Sequence, residues 1–484
     1  MELYELQDRI EFALERLDET RAVLEAEVCA SWCEQQVVRI AYDAEHPAEA
    51  IQAVRTVTTY GLSLLAVFAE GSERRVGFGV TAEDISREGI LEALDMAKQN
   101  AQPEAYYGPL PVPAVAPAVA EPLYDPQVLT LAEEELTQAA IEALDGALST
   151  FKDAGYVRQL RLQGQVCSRA EHLALGNTHG LLAAETTTGA RATLQSALQG
   201  APGAALGARA VVHWRDLNAY EAGVEAAQHA LQQQQSVTVA PGDYAVIFGP
   251  WAVAELLENL LLPALSLDTV AAGTSPLAGR LGEAITSPLL SLTDEGRLPG
   301  LLGSRLMTGE GLPTGTTPLI EHGRLVGFLA DVYHAHKLAP QLGPLVPRNG
   351  LRHALNGQSF SMRPGIFPTN VLLNSSAPCS PEALLETLDS GLYIGRLWNT
   401  VTPAGLQTGQ CSSLVLGPSF RIRQGKLGEP ITPGTLRLQD NILDLLQRCS
   451  GLSSRTQAVA LGTGQSLILA PELACTQAHF LAAV

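Results

Sequence analysis

The chain has 484 residues, of which 46% are hydrophobic, so it is long enough for two or three domains and too apolar for wholesale disorder. Its 31 basic and 51 acidic residues give a net charge of -20, and no run of basic residues occurs. This balance argues against nucleic acid and against an anionic membrane surface as partners, because both require clustered lysine and arginine.

The cysteines and the N-terminus indicate a cytoplasmic protein. Seven cysteines are scattered along the chain without a CxxC pair, which is typical of reduced thiols rather than of a disulfide framework. The charged N-terminus lacks the apolar core of a signal peptide, and no run is apolar for long enough to cross a bilayer.

Helices and strands are predicted to alternate in the first 235 residues, from the period of the apolar residues and from turn signals. Thr130 and Glu133 form a capping-box pattern at the start of one helix. The Pro- and Ala-rich residues 102–127 indicate an extended connector. The predicted helices are residues 2–25, 84–101, 130–154 and 218–235. The predicted strands are residues 37–41, 62–68, 75–80, 156–168, 181–198 and 208–214, with 62–68 and 75–80 paired as a hairpin.

Short strands and frequent turns are predicted after residue 236. The predicted strands there are residues 244–248, 319–320, 326–329, 370–373, 414–416 and 420–422, and the predicted helices are 382–390 and 438–449. The expected fold class is therefore α+β. An N-terminal α/β domain, residues 1–235, would have an antiparallel sheet with flanking helices. A β-rich C-terminal domain, residues 236–484, would have mixed sheets with few helices.

One apolar stretch, residues 249–268, predicts a turn and then a buried helix. Within it Glu255, Glu258 and Asn259 have helical spacing, which places all three on one face. Pro263 lacks an N–H and is expected to kink or end the helix. A solvated or partner-facing stripe is the simplest reading of these polar residues, with a carboxylate pair as the alternative.

Several motifs of catalysis are absent from the sequence. It contains no GxxxxGK[ST] phosphate loop, no GxGxxG after a strand and no GxSxG nucleophile elbow. None of the ten histidines is followed by glutamate, so no HExxH zinc motif exists. His334 and His336, close to Asp331, are the nearest approach to a metal-ligand pair. They would share one face on a strand and diverge on a helix, and two polar histidines without a metal are the other reading.

A series of motifs resembles the TldD/PmbA (TldE) family, once called modulators of DNA gyrase. The signature centres on residues 303–342, and similar segments follow in the same order to residue 431. The residues that carry the resemblance include Glu310-Gly311, Leu319-Ile320, Gly323, Phe328-Leu329, Asp331, Lys337-Leu338, Gly391–Gly395, Thr408-Gly409 and Ser412. Glu310, Gly311, Thr408, Gly409 and Ser412 are the candidates for a peptide groove.

The resemblance also implies which kind of family member this is. TldD-type subunits resemble zinc peptidases, with HExxxH on a helix and a distal cysteine ligand, whereas TldE/PmbA-type subunits lack these ligands. By alignment, the positions of His, Glu and His fall on Glu258, Asn259 and Pro263, and the distal cysteine falls near Leu461. Proline and leucine side chains bind no zinc. No catalytic or metal-binding residue is therefore expected in this chain, and the resemblance points to the TldE/PmbA type.

Three functions remain open at this point. The first is a non-catalytic subunit of a TldD/TldE-like metallopeptidase complex that degrades or processes extended peptides, with zinc only in a TldD-type partner. The second is a homodimeric peptide-binding or scaffold protein. The third is a stand-alone metallopeptidase with a divergent site at His334 and His336.

Overall fold

The computed structural model describes residues 1–18, 23–44, 50–70, 73–104, 108–115, 121–156, 160–200, 203–354, 356–460, 462 and 464–483. Its α-helices are α1 (Leu3–Asp18), α2 (Arg87–Gln99), α3 (Glu133–Asp153), α4 (Ala219–Gln232), α5 (Pro250–Leu256), α6 (Leu262–Ala264), α7 (Leu267–Ala271), α8 (Val332–Leu342), α9 (Pro381–Glu386) and α10 (Ile442–Gln447). No helix in this part of the chain is long and apolar enough to cross a membrane.

Long strands dominate the N-terminal half and shorter ones the C-terminal half. In the first half they are β1 (Val23–Asp43), β2 (Arg55–Glu70), β3 (Glu73–Ala82), β4 (Gln102–Pro103), β5 (Leu160–Asn177), β6 (Leu182–Leu198) and β7 (Ala205–Val211). Those that follow are β8 (Gly242–Phe248), β9 (Leu290–Glu295), β10 (Thr316–Glu321), β11 (Arg324–Leu325), β12 (Gly350–Leu351), β13 (Gly365–Ile366), β14 (Asn370–Ser375), β15 (Ser390–Val401), β16 (Gln410–Arg423), β17 (Lys426–Pro430), β18 (Leu436–Asn441), β19 (Cys449–Ala460) and β20 (Leu467–Ala482).

The first sheet is antiparallel, in the order β4-β3-β2-β1-β5-β6-β7. Successive side chains of a strand point to opposite faces, so residue parity separates the two faces of β1 and β5. Even-numbered apolar residues such as Val28 and Val166 pack in the cores that helices α1 to α4 cover. Odd-numbered residues such as Glu27 and Ser31 face the C-terminal half, where they contact Arg352 and Phe360. One face is therefore helix-covered, and the other contacts the C-terminal half through polar residues and through an apolar cluster that includes Leu175 and Met307.

The second sheet is mixed and closes on itself. Strand β8 pairs in parallel with β15 and antiparallel with β20, and β15, β16, β18 and β20 are hydrogen-bonded in sequence. This ring is barrel-like, and the path continues from β20 through β14, β9 and β10 to β11. The apolar residues after β8 pack in the large core with Phe248, Ile394 and Leu473. The fold class is α+β as predicted, with few helices in the β-rich half.

Most predicted elements exist, but some bounds were wrong. The predicted helix over 2–25 ends at Asp18, directly after Leu17, the last buried apolar residue on it. Residues 23–25 belong to β1, a 21-residue strand of which 37–41 is only a part. Helix α3 is capped at Ala132, where the Glu135 carboxylate accepts the Ala132 N–H at 3.3 Å, and not at Thr130. The turn at residues 71–72 lies outside the described residues.

Two C-terminal assignments also change. The segment 326–329 is not a strand, since β11 ends at Leu325. The segment 438–449 begins as strand β18 and becomes helical only from Ile442, where the Asn441 side chain caps the turn. The last strand of the first sheet ends at Val211, and the first strand of the second sheet begins at Gly242. The domain boundary at residue 235 stays a prediction.

Candidate functional site

The helix after β8 is distorted at the positions that the sequence singled out. Helix α5 begins at Pro250, widens into a π-helical turn over Leu257–Leu261 and continues to Ala264. In this turn the Leu262 N–H donates to the Leu257 carbonyl, five residues back. The widening accommodates Pro263, which lacks an N–H and would crowd the carbonyl four residues before it. The distortion thus precedes the proline, and the helix ends one residue after it.

Three of the predicted positions, Glu258, Asn259 and Pro263, border one cavity of about 420 Å³. The Gly462 N–H, which also borders it, donates to the Glu258 carboxylate at 2.8 Å. Burial raises the pKa of Glu258, the Gly462 hydrogen bond lowers it, and the charge of Glu255 raises it further. The fourth position, Leu461, lies outside the described residues, but its neighbour Gly462 touches the helix. The structure therefore brings the helix and Gly462 together.

The residues at this cavity do not fit a zinc site. Pro263 has no side-chain donor atom, and the Asn259 amide donates to the Glu255 carbonyl at 3.0 Å. The Glu258 carboxylate is engaged by a backbone N–H. Zinc sites need three or four nitrogen, sulfur or carboxylate ligands around one point. Within the described ranges no group of three or more His, Cys, Asp or Glu side chains is placed to hold a metal ion.

His353 links this cavity to a second one. It is buried, stacks on Phe367 with ring centroids 4.7 Å apart, and lies 3.4 Å from the Arg305 guanidinium through its Nε2. Burial, followed by the charges of Arg305 and Arg169, holds the pKa of His353 well below its ordinary value. His353 is therefore a neutral imidazole between the two cavities.

The second cavity is about 240 Å³ and lies against the odd-numbered face of the first sheet. Gly462 borders it as well, so the two cavities adjoin. Its charged lining residues are Arg169, Arg191 and Arg305. A cluster of guanidinium groups contrasts with the acidic balance of the whole chain, and such groups bind carboxylates and other oxyanions.

A third cavity, of about 470 Å³, contains the predicted residue Glu310. The Glu310 carboxylate accepts the Val332 N–H of helix α8 at 3.1 Å. Burial and then the neighbouring charge of Asp331 raise the pKa of Glu310 well above its ordinary value. Gly311 has φ of +80° and lies against Leu181 of the N-terminal half. Glu310 and Gly311 thus lie between the two halves of the chain.

His334 and His336 both lie on helix α8, not on a strand. Residues i and i+2 of a helix point in different directions. His334 Nδ1 lies 2.8 Å from the carboxylate of Asp331, which caps the helix by accepting the His334 N–H. His336 lies beside Gly108. The geometry therefore gives the two-histidine alternative no shared face.

Thr408, Gly409 and Ser412 lie at the turn into β16. Gly409 has φ of +67°, and the Asn441 side chain donates to the Thr408 carbonyl at 2.9 Å. The buried Ser412 hydroxyl accepts from Arg437 at 3.2 Å. The five groove candidates thus fall in two places, one at the cavity of Glu310 and one at this turn.

The sequence did not single out Arg169, Arg191, Arg305 or His353. They are distant along the chain and form no local motif. A partial signal existed for the first two, because odd positions of β5 and β6 face the C-terminal half.

Comparisons with known proteins bear on the family and the fold of this chain. Residues 241–479 match the PmbA/TldA metallopeptidase C-terminal domain. The whole fold is similar to the crystal structure of TldE from Thermococcus kodakarensis, with a TM-score of 0.80 over 98% of this chain and 99% of that one, at 21% sequence identity.

Two curated relatives are metalloproteases by name. The chain is 26% identical over 234 residues to a metalloprotease of Methanothermobacter thermautotrophicus, which is 48% of each protein. It is 23% identical over 274 residues to a metalloprotease TldD homolog of Haemophilus influenzae, which is 53% of each. The chain thus spans about half the length of the curated relatives it matches.

Proposed function

Because this chain belongs to the TldD/PmbA (TldE) family, we propose that it is the non-catalytic subunit of a TldD/TldE-like metallopeptidase complex that degrades or processes extended peptides. The observation that carries the proposal is the residue set at the widened helix. By the alignment made from the sequence, Glu258, Asn259 and Pro263 take the positions of HExxxH in TldD-type members. The cavity that they line has, among its described residues, no donor set of a zinc site.

The retained cavity favours a role in binding over a purely structural one. A helix that had lost its function entirely would be free to fill its cavity with larger apolar side chains, because close packing stabilises a core. Here about 420 Å³ is kept open beside the polar side chains of Glu258 and Asn259. The cavity would then complete a peptide-binding chamber whose zinc and general base belong to a TldD-type partner.

A cytoplasmic location is part of the same proposal. All seven cysteines are free thiols, as expected in a reducing compartment. An unfolded peptide substrate of a cytoplasmic complex would be bound through its main chain, a mode that tolerates varied sequences.

Reconstitution with a TldD-type subunit tests the proposal. We expect a defined heteromeric complex by size-exclusion chromatography with light scattering. Peptidase activity on an unstructured peptide should require both proteins and be lost with a chelator. A matched control uses a partner whose HExxxH glutamate is changed to glutamine, which should still assemble but remain inactive.

Two outcomes would reject the proposal. If no complex forms, or if a complex forms without any gain in peptidase activity, this chain is not the partner subunit of such an enzyme. Chelator-sensitive activity of the purified chain alone would instead place the catalytic site within it.

A further inference from the structure

The cavity of about 240 Å³ beside Gly462 has an unusual charge balance for a chain of net charge -20. It is bordered by β1, β5 and β6 and by Leu302, Arg305, Gly462, Gly464 and Gln465. Its lining includes three arginines and, among the described residues, no aspartate or glutamate. The cavity is therefore cationic.

Within the described part of the chain, each of its three arginines has a buried N–H for which no hydrogen-bond partner is found. These atoms are Arg169 Nε, Arg191 Nη2 and Arg305 Nε. Arg305 is only 8% exposed, and its Nε–H is shielded from solvent, whereas its other nitrogens lie near His353 and Glu185. Arginine stays protonated in proteins, and a buried donor without a partner is destabilising. Three such donors around one cavity mark a place prepared for an acceptor.

The carboxylates of the protein neutralise this cluster only in part. Glu171 pairs with Arg169 at 2.8 Å, and Glu185 lies 3.7 Å from Arg305. Arg191 forms no ion pair within the described part of the chain. Burial lowers the pKa of Arg191, the Cys167 thiol raises it, and the positive charge of Arg169 lowers it. Arg191 is thus the guanidinium with the greatest need of an anion.

We propose that this cavity binds a peptide carboxylate, held by Arg191 with Arg169 and Arg305 around it. The carboxylate is either the C-terminus of the peptide or an Asp or Glu side chain, since the fork of a guanidinium matches both. That the ligand is a peptide rests on the proposed function. The position supports it, because Gly462 and the contact of Arg305 with His353 join this cavity to the cavity at helix α5.

Binding of short peptides to the purified chain tests the inference without a partner subunit. The probes are N-acetyl-tetra-alanine with a free C-terminus, its C-terminal amide, and an amidated peptide with one internal Glu or Gln, all measured by calorimetry. Loss of the carboxylate should weaken binding about tenfold or more, because a charge-assisted contact is removed. Preference for the free C-terminus identifies a terminal carboxylate, and preference for Glu over Gln identifies a side chain.

Variants assign any such preference to this cavity. Arg191→Gln should abolish it, whereas Arg161→Gln, at a side chain of β5 that is 78% exposed, should leave it unchanged. Gly464→Ala offers a second route that keeps every charge. A Cβ at Gly464 would lie 0.7 Å from Arg191 Nη2 and would displace the guanidinium. Thermal unfolding of each variant confirms that it is folded.

The outcomes separate this inference from the proposed function. Equal affinity for acid and amide probes, absence of binding by every probe, or an unchanged preference in folded Arg191→Gln would overturn carboxylate recognition here. Assembly with a TldD-type subunit is measured separately and stands or falls by itself. An Arg191→Gln chain that assembles but has lost the preference would support both.

Discussion

The surroundings of Glu185 favour its neutral, protonated form over the charged carboxylate. Burial raises its pKa to about 7, although Arg305 and the N–H groups of Met307 and Leu306 act in the opposite direction. The folded protein therefore holds a proton at Glu185 over a pH range in which the unfolded chain, with a pKa near 4.5, has released it. Folding stability must decrease as pH rises through this range.

Glu185→Gln should remove this pH dependence. For the unchanged protein, the contribution of Glu185 to stability is complete below about pH 4.5 and is lost as pH approaches 7. The loss amounts to about 3 kcal/mol, because one pKa unit corresponds to about 1.4 kcal/mol. The variant stays neutral, and its amide oxygen can still accept the Leu306 N–H. Denaturant unfolding from pH 4.5 to 8 measures the difference.

The dependence of the free energy of unfolding on pH, compared between the variant and the unchanged chain, tests this prediction. We expect the free energy of unfolding to fall less steeply with pH in the variant than in the unchanged chain. Equal slopes would mean that Glu185 is ionised in the folded protein, and the ion pair with Arg305 would then dominate over burial. Glu221→Gln, at an exposed position of α4, is the matched control and should leave the slope unchanged.

Candidate site residues could be predicted only where a motif located them. Glu258, Asn259 and Pro263 were candidates because a catalytic motif can be aligned with a helix; the structure places all three on one cavity, and their role stays a prediction. Arg305 and His353 were not found, because their contact joins positions 48 residues apart in segments without periodicity. No single-sequence pattern encodes such a contact.

Helices α3 and α4 approach each other closely through glycine. Gly223 of α4 lies where a Cβ would be 1.9 Å from the Ala143 carbonyl oxygen of α3. Gly146 of α3 similarly faces the Tyr220 carbonyl, at 2.2 Å. These contacts involve backbone atoms, which have no freedom to rotate away. Small residues at these positions therefore set the distance between the two helices.

The variant Gly223→Ala tests whether helix propensity or packing has the larger effect on stability at this position. Propensity alone favours alanine over glycine in a helix interior by about 1 kcal/mol. The new methyl group would overlap a backbone carbonyl, and overpacking of this kind costs about 1–3 kcal/mol and can exceed that range. We expect packing to dominate, with net destabilisation in chemical denaturation. Gln228→Ala, at an exposed position of α4, should change stability by less than about 0.5 kcal/mol. A stabilised Gly223→Ala chain would show that the helices are free to separate.

Apolar periodicity predicted most helices and strands. It did not predict where they end or where they are distorted. The hairpin of β2 and β3 and helices α2, α3 and α4 were expected from apolar spacing and turn residues. The helix over 2–25 was extended too far, since its buried apolar residues end at Leu17 and residues 23–25 belong to strand β1. The π-helical turn at Leu257–Leu261 carries no sequence signal beyond Pro263 itself.

The two halves of the molecule meet across the odd-numbered face of the first sheet. Glu27 of β1 pairs with Arg352, a residue 325 positions away. Arg352 also donates from Nε to the Gly309 carbonyl at 2.8 Å. Composition and alternation predicted two β-containing halves but not how they meet. That arrangement depends on long-range pairs of buried polar groups, which periodicity within one element does not encode.

Arg352→Ala should therefore weaken the whole molecule rather than one element. Glu27 and Arg352 are both buried, and removal of the arginine leaves a buried carboxylate without its partner. Such a loss costs about 3–5 kcal/mol, whereas Arg423→Ala, in an exposed pair with Glu429, should cost no more than about 1 kcal/mol. Replacing both members, as Glu27→Gln with Arg352→Met, should cost less than Arg352→Ala alone, since no buried charge remains.

Denaturant unfolding followed by circular dichroism and by tryptophan fluorescence measures these losses of stability. It also reports whether the two halves still unfold together. If the single and double variants lose equal stability, packing around Arg352 and not charge pairing joins the two halves.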